Sequence, residues 1–540
     1  MKRLTAILLA AVMLLCLIPF AGAAFTDADK ITPESKAAVD FVSEKGIISG
    51  FPDGSFKPTD TLTRAQAAKI LCVALEGADK ANALTKTDTG FEDVPASHWA
   101  AKFVAYCVEK NIVAGVGSGK FDPDGQLTGV AFAKMLLVAY GKAKAEDLIG
   151  STWAATTQKT IRAAGMEEGA SVANLPSSRE NACALVYNFM YEDEFNKTKP
   201  ASYKVTTLEF KGGDKYRLLG RAKQENANVL LDWSSDGVEF TADCGGRIYV
   251  TAGCTREQRI AHLQIRVIVD GTPAERLTYL ESEGKPEKVA PIRVMPGKHT
   301  IRIIKDSIGQ QSIHKLYSVR MECDPASVAA TQPRPKLLEV IGASTATGAG
   351  IIPTPQDGYS RGTNNTATIV PTFGYLTAEA LNMDITTVVK GSLGIVARSG
   401  NPKYNLPELY DYQNRYRDGT SIEKKERTDP PELYHFNRKA DVVILMINEN
   451  DGKIPSEEFT PATKNFIQHI REVNTGCKIL FLYYNGSKHK ADIKTILDED
   501  PELVGLGIRS NASGAGGHAN GAAHRGWADQ IIPLVKKMIE

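Results

Sequence analysis

The sequence predicts a multidomain chain: an α-helical repeat module, then a β-sandwich, then an α/β three-layer domain on a parallel sheet. Three observations predict it. A helical pattern recurs within the first two hundred residues, short alternating segments fill the middle, and strands alternate with helices beyond a Pro-rich stretch. At 540 residues the chain is too long for one core. Lys+Arg of 64 against Asp+Glu of 63 leaves no charge excess of the kind that nucleic-acid or anionic-membrane binders carry.

The first residues set an expected compartment. Lys2 and Arg3 precede an apolar run from Leu4 to Phe20 that ends in Ala21-Gly22-Ala23-Ala24, the pattern of a cleaved signal peptide over residues 1–23. Cys16 lies inside that run without the small residues a lipid-attachment site needs. No later segment is long and apolar enough to span a membrane, so the mature chain is expected to be soluble. Seven cysteines follow Cys16, and their spacing fits no metal motif. Cys72, Cys107 and Cys183 fall in apolar helical stretches, while Cys244 and Cys254 can pair across a hairpin.

The repeat comes next. Phe51-Pro52-Asp53-Gly54-Ser55-Phe56-Lys57-Pro58, then Leu62-Thr63-Arg64-Ala65-Gln66, returns 65 residues on as Phe121-Asp122-Pro123 and Leu127-Thr128. Each unit has an amphipathic helix (Ala38, Phe41, Val42; then Phe103, Val104, Val108), a Gly-rich turn and a second helix with Thr63 or Thr128 as N-cap. A weaker third copy runs from Trp153 to Tyr191, its second helix opened by Ser178-Arg179-Glu180-Asn181. With Phe91-Glu92-Asp93-Val94 and His98-Trp99-Ala100, these residues resemble S-layer-homology (SLH) repeats, over residues 24–198. The resemblance implies a pseudo-threefold module that binds the secondary polymer of a bacterial cell wall, with Arg64, Arg179 and Trp99 as contacts. An Arg at a helix N-terminus beside free backbone N–H groups suits an anionic sugar substituent. Gly129 stands where the second copy should carry its Arg.

Composition changes near residue 200. Asn228–Leu231, Val238–Phe240, Arg247–Val250, Leu263–Val269 and His299–Ile304 read as strands of a β-sandwich over residues 199–330. Gly220-Arg221 and Asp232-Trp233-Ser234-Ser235-Asp236-Gly237-Val238 resemble the jelly-roll domain that precedes the hydrolase in carbohydrate esterase family two. Trp233 reads first as a core aromatic and second as a sugar-stacking platform.

Residues 331–540 carry the chemistry. Strands at Leu337–Ile341, Ile385–Val389, Val442–Ile447 and Lys478–Tyr484 alternate with helices near Tyr375–Asn382, Thr460–Val473 and His524–Ile539, which predicts a parallel sheet with helices on both faces. Sites in such sheets lie at the carboxyl ends of the strands. There the sequence places Gly342-Ala343-Ser344-Thr345-Ala346-Thr347-Gly348, Gly391-Ser392-Leu393-Gly394, Asn448-Glu449-Asn450-Asp451-Gly452 and Gly516-Gly517-His518-Ala519-Asn520. Ser344 on its Gly-flanked turn is the candidate nucleophile.

The order Ser, Gly, Asn, His resembles the SGNH (GDSL-type) hydrolases, and the two-domain arrangement resembles carbohydrate esterase family two. The resemblance implies a flavodoxin-like parallel sheet, Ser344 as nucleophile and His518 as general base. It also implies an oxyanion hole from the Ser344 N–H, the Gly394 N–H and the Asn450 side chain, with no metal or organic cofactor. Gly391 replaces Gly394 if the register shifts. His524 reads as a helix-start structural residue and as the fallback base. Ala343 stands where the family has Asp, Asn448 where it has Gly, and Ala519 where it has Pro. Neither Ala515 nor Gly516 supplies the Asp that orients the imidazole. The expected activity is a wall-anchored O-acetyl esterase acting on acylated poly- or oligosaccharide. The competing readings are an SGNH fold decayed into a carbohydrate-binding or S-layer structural protein and, more weakly, a lipid or thioester hydrolase.

Overall fold

The computed structural model describes residues 25–540 except 168, 255–262, 280–286, 289–291, 308–313, 352–366, 397–404, 414–415, 418–419, 422–431, 448–449, 510–513 and 515–517. The expected leader 1–23, Asn448, Ala515 and Gly516 lie outside the described residues. The chain forms two compact units, residues 1–199 and 200–540. No helix among the described residues is long and apolar enough to cross a membrane.

The first unit is helical. Its repeats supply α1 (Pro33–Glu44), α2 (Arg64–Glu76), α3 (Ala101–Glu109), α4 (Gly129–Ala139), α5 (Trp153–Ala163) and α6 (Arg179–Thr198). The second helix of each repeat starts where the sequence says it should, because its N-cap hydroxyl accepts an N–H that the helix cannot satisfy itself. Thr63 caps Gln66 N in a full capping box, Thr128 caps Ala131 N and Ser178 caps Asn181 N. One apolar core runs through all three repeats, from Val39 and Leu71 through Val104 and Leu136 to Leu185.

The second unit begins with antiparallel strands: β1 (Lys204–Glu209), β2 (Arg217–Leu219), β3 (Lys223–Gln224), β4 (Val229–Leu231), β5 (Gly237–Cys254), β6 (Leu263–Val269), β7 (Thr272–Tyr279), β8 (Glu287–Lys288), β9 (Ile292–Lys305), β10 (His314–Cys323) and β11 (Ala329–Ala330). Among the described residues they form one hydrogen-bonded network in the order β3-β4-β10-β5-β9-β6-β7, with β1 on β10 and β2, β8 and β11 on β5. The expected strands at Val238–Phe240 and Arg247–Val250 are one long strand, β5, which stays paired through a bulge between Cys244 and Gly246. That overturns a Cys244–Cys254 disulfide. The two residues lie on the same strand ten positions apart, on the order of 30 Å at strand rise, and Cys244 is a free, buried thiol opposite Cys323.

The rest of the unit is a parallel sheet between helices. β12 (Lys336–Gly342), β13 (Met383–Val389), β16 (Val442–Met446), β17 (Lys478–Tyr484) and β18 (Leu503–Ile508) stand in the order β13-β12-β16-β17-β18. A small pair, β14 (Tyr416–Arg417) with β15 (Thr420–Ser421), lies apart from it. One face is covered by α8 (Ser456–Val473) and α9 (Lys490–Glu499), through Phe459, Phe466 and Ile496. The other is covered by α7 (Phe373–Ala380) and α10 (Gly521–Ile539), through Phe373, Trp527 and Ile531. β18 and α9 escape the sequence reading because Leu503-Val504-Gly505-Leu506-Gly507-Ile508 is interrupted by glycines. Gly505 lies against α9: a Cβ there would sit 2.4 Å from Leu497 Cδ1, so that side chain would have to move.

The β-rich part and the parallel sheet share buried polar contacts. Arg221, fully buried, donates to Tyr410 O, Tyr412 O and Glu339 on β12, with its guanidinium over the Tyr434 ring. Glu239 on β5 accepts from Arg217 and Arg302, and Arg217 also pairs with Asp384 on β13. Trp233 is fully buried in the core against the sheet and donates Nε1 to Gln413 O. It is a packing residue, and the sugar-stacking alternative falls.

Candidate functional site

In the helical unit the three repeats lock in a cycle. Arg64 Nε and Nη2 donate to Phe121 O (2.7 Å) and Ala114 O (2.8 Å) of the next repeat, with the guanidinium 4.6 Å over the Phe121 ring. Arg179 does the same to the first repeat, donating to Phe56 O (2.9 Å) and Ser49 O (2.8 Å). The loops they grip are themselves braced: Asp27 accepts from the N–H groups of Phe56 and Lys57, and Asp93 from those of Phe121 and Asp122. Lys57 and Asp122 hold positive φ in those turns.

The expectation of free N–H groups at these helix starts is not met. Arg64 N and Ala65 N donate to Gly125 O and Pro123 O, and Arg179 N and Glu180 N to Asp60 O and Pro58 O. The donors are spent on the seams between repeats. At the third seam Gly129 N and Val130 N donate to Leu175 O and Ala173 O, and a Cβ on Gly129 would meet Ser171 O at 2.5 Å. Gly129 is thus a close approach of backbone to backbone, with no room for a side chain. Trp99 is half-buried, packed on the helical core with His98 beside it.

In the second unit the strand register gathers the polar turns. Gly342 at the end of β12 is in register with Val389 of β13 and with Met446 of β16. The turns that follow these three strands therefore emerge side by side, and they carry Ser344, Gly394 and Asn450. Gly342 itself is required, since a Cβ would lie 2.7 Å from Ala346 Cβ and 3.0 Å from Met446 O.

Ser344 is half-buried, and its carbonyl accepts from Thr347 Oγ1 and Ala349 N, which curls the turn around it. Among the described residues, neither the Ser344 N–H nor the Gly394 N–H has an acceptor. Gly391 is buried, and Gly394 is half-buried. Asn450 gives one amide hydrogen to Leu393 O (2.8 Å), leaving the second to donate elsewhere.

His518 arrives on the loop before α10. Gly514 N donates to His518 O, and Gly514 and Gly521 pack on Gly350 and Ile351, beyond the Ser344 turn. His518 Nδ1 is buried with no partner among the described residues, and no hydrogen bond joins its ring to Ser344 Oγ. His524 is elsewhere: fully buried, stacked on Phe373, 5.0 Å from the Trp527 ring, with Nδ1 accepting from Phe373 N at 3.4 Å. Burial pushes its pKa down to about 4. It is a neutral packing residue.

Asp451, next to Asn450, has no exposure and does not stand out in the sequence. Its Oδ1 accepts from Ile395 N (2.8 Å) and Val396 N (3.5 Å). The only signal in the sequence is its place beside a candidate site residue.

Comparison with known proteins agrees with this division. The S-layer homology domain family matches residues 24–68 and 90–133. The "Surface-layer 125 kDa protein" of Lysinibacillus sphaericus is 28% identical over 287 residues, 49% of this chain and 24% of that protein. The "Cellulosome-anchoring protein" of Acetivibrio thermocellus is 40% identical over 87 residues, 16% of this chain and 19% of that one. The chain thus spans about a quarter or less of these relatives' own length. Among solved structures, a family two carbohydrate esterase from Cellvibrio japonicus (TM-score 0.52, 15% identity) and an acetyl xylan esterase from Butyrivibrio proteoclasticus (TM-score 0.52, 16% identity) each cover 62% of this chain and 98% of their own. The chain is therefore a secreted, cell-wall- or S-layer-attached protein that carries S-layer homology repeats and shares its further fold with the family two carbohydrate esterases.

Proposed function

We propose that the chain is a serine esterase that removes O-acetyl groups from carbohydrate at the bacterial cell wall. The observation that carries this reading is the convergence, at the ends of three adjacent parallel strands, of the Ser344 turn with two N–H donors that lack acceptors among the described residues and an Asn450 amide with one hydrogen engaged there. In the reaction Ser344 Oγ attacks the ester carbonyl carbon while His518 takes its proton. The carbonyl oxygen, now an anion, receives hydrogen bonds from the Ser344 N–H, the Gly394 N–H and Asn450 Nδ2. The tetrahedral intermediate collapses to the acyl-enzyme as His518 returns the proton to the departing sugar oxygen. Water, deprotonated by His518, then releases acetate.

The domain reading that goes with it assigns residues 24–198 to the repeats, 199–330 to a jelly roll and 331–540 to a flavodoxin-like hydrolase. Arg64, Arg179 and Trp99 are then the contacts for the secondary wall polymer. That one structural neighbour is an acetyl xylan esterase supports an acetylated polysaccharide as substrate. Steady-state hydrolysis of an aryl acetate by the whole chain, compared with Ser344→Ala, tests the reading: activity is expected and should vanish in the variant.

One observation favours a second reading. His518 Nδ1 has no partner to orient it among the described residues, and its ring makes no hydrogen bond to Ser344. A carbohydrate-binding module with a decayed hydrolase site would look like this. It predicts retention on acetylated polysaccharide with no hydrolysis of any acyl ester.

A further inference from the structure

The loop that carries Gly394 is held by its neighbours through its backbone. Residues Leu393 to Val396 lie against the turn that follows β16, and two consecutive residues of that turn grip them. Asn450 Nδ2 donates to Leu393 O at 2.8 Å, and Asp451 Oδ1 accepts from Ile395 N at 2.8 Å and Val396 N at 3.5 Å. The same Oδ1 lies 2.1 Å from where a Cβ on Gly394 would be, so the carboxylate rests against the Gly394 backbone itself. Asp451 has no exposed surface, so no water competes for these donors.

The carboxylate is backed in turn. The Asp451 carbonyl accepts from Ile454 N at 2.8 Å and faces His489 Nε2 at 2.9 Å. His489 is stacked on Phe459 at 3.9 Å, with Nδ1 2.7 Å from Asp492, which also takes the Ser456 hydroxyl. The grip thus reaches into α8 and α9, the rigid cover of the sheet. On the far side of the loop Leu406 N donates to Gly394 O at 3.0 Å. The carbonyls of Leu393 and Gly394 and the N–H groups of Ile395 and Val396 all fix the loop, and among the described residues the Gly394 N–H is left over.

We propose that Asp451 is a positioning residue, one that holds residues 393–396 so that the Gly394 N–H stays aligned with Asn450 Nδ2 on the carbonyl oxygen of a bound ester. The assignment rests on the esterase reading above. Neighbouring side chains then divide the labour: Asn450 meets the substrate oxygen, and Asp451 fixes the peptide that supplies a second donor. An oxyanion donor contributes only when it is held in place before charge develops, which is why a buried carboxylate on the loop bears on turnover more than on binding.

The test uses the whole chain with Asp451→Ala and Asp451→Asn, the latter keeping an oxygen that can accept from Ile395 N. Kinetics with an aryl acetate are measured beside amide hydrogen exchange of the peptide spanning residues 393–396. Asp451→Ala should lower kcat on the order of 10²-fold, with KM within about twofold, as loss of one oxyanion donor does. Exchange in that peptide should quicken at least about tenfold, and Asp451→Asn should recover most of both. Exchange unchanged in Asp451→Ala, or kcat unchanged while exchange quickens, overturns the proposal, as does a loss that falls on KM alone. If the unaltered chain hydrolyses no ester, the esterase reading fails by itself. The holding role is then decided by exchange, and unchanged exchange removes it. Should Asp451→Ala not fold, Asp451→Ser, whose hydroxyl is too short to reach Ile395 N, carries the test: lowered kcat with quickened exchange and a native melting temperature supports the role, and unchanged kcat or unchanged exchange overturns it.

Discussion

Ser344, Gly394 and Asn450 act on one oxygen atom in the proposed reaction, so their substitutions should not contribute independently. Asn450→Ala is expected to lower kcat on the order of 10²- to 10³-fold, and adding it to Ser344→Ala should change nothing further, because no anion forms once the nucleophile is gone. Single and double variants assayed on one aryl acetate check this. His524 makes a separate prediction. Its folded pKa of about 4 lies below the ordinary 6.5, so the folded state prefers the neutral ring. The unfolded chain binds the extra proton first as pH falls. Stability from this residue is therefore full above about pH 6.5 and lost between there and pH 4, about 3 kcal/mol in all. His524→Leu should flatten that part of the stability curve in urea melts at pH 7 and pH 4.5. The Ser344 turn and both histidines were legible as residues, since Gly-flanked polar clusters after apolar strands stand out. Asp451 was not, because nothing in a sequence tells a buried carboxylate gripping a loop from an ordinary turn aspartate.

At the scale of elements, the N-caps were the most legible feature, because Thr63, Thr128 and Ser178 each announce a helix by one hydroxyl. The seams between repeats were not, since they depend on carbonyls of Phe56 and Phe121 meeting arginines from another repeat. Arg64→Ala should lower the stability of the helical unit by about 2 kcal/mol, the scale for hydrogen bonds from a charged group, besides weakening attachment to purified walls. Calorimetry of the whole chain beside a wall-pelleting assay separates the two: weakened binding without a drop in melting temperature would mark Arg64 as a polymer contact alone. Gly129→Arg should not restore a third contact. It forces a side chain against Ser171 O and should destabilise the unit. Strand limits in the β-rich part were misjudged for a related reason: β5 is buried on both faces in its first half, so its pattern there is continuous rather than alternating.

Across the whole molecule, the order of helical repeats, β-rich part and parallel sheet could be read from composition and period. How firmly the last two parts are joined could not, because that depends on charges which sequence reading assigns to surfaces. Arg221, Arg217, Glu239 and Arg302 are all buried or nearly so where β strands meet the parallel sheet. Removing Glu339 alone would strand the Arg221 guanidinium without its carboxylate, and Glu339→Ala should cost about 3–5 kcal/mol. A piece comprising residues 331–540 should fail to fold, while residues 200–540 should give one cooperative melt by calorimetry. Gene recombination would meet the same constraint. A crossover near residue 331 would hand on half a salt lattice and an orphaned tryptophan slot. One at the Lys199–Pro200 junction between the two compact units would leave each unit undivided. New enzymes could thus be mounted on such wall anchors by exchange at a single point, and anchors by the same cut could be fitted to enzymes that lack them.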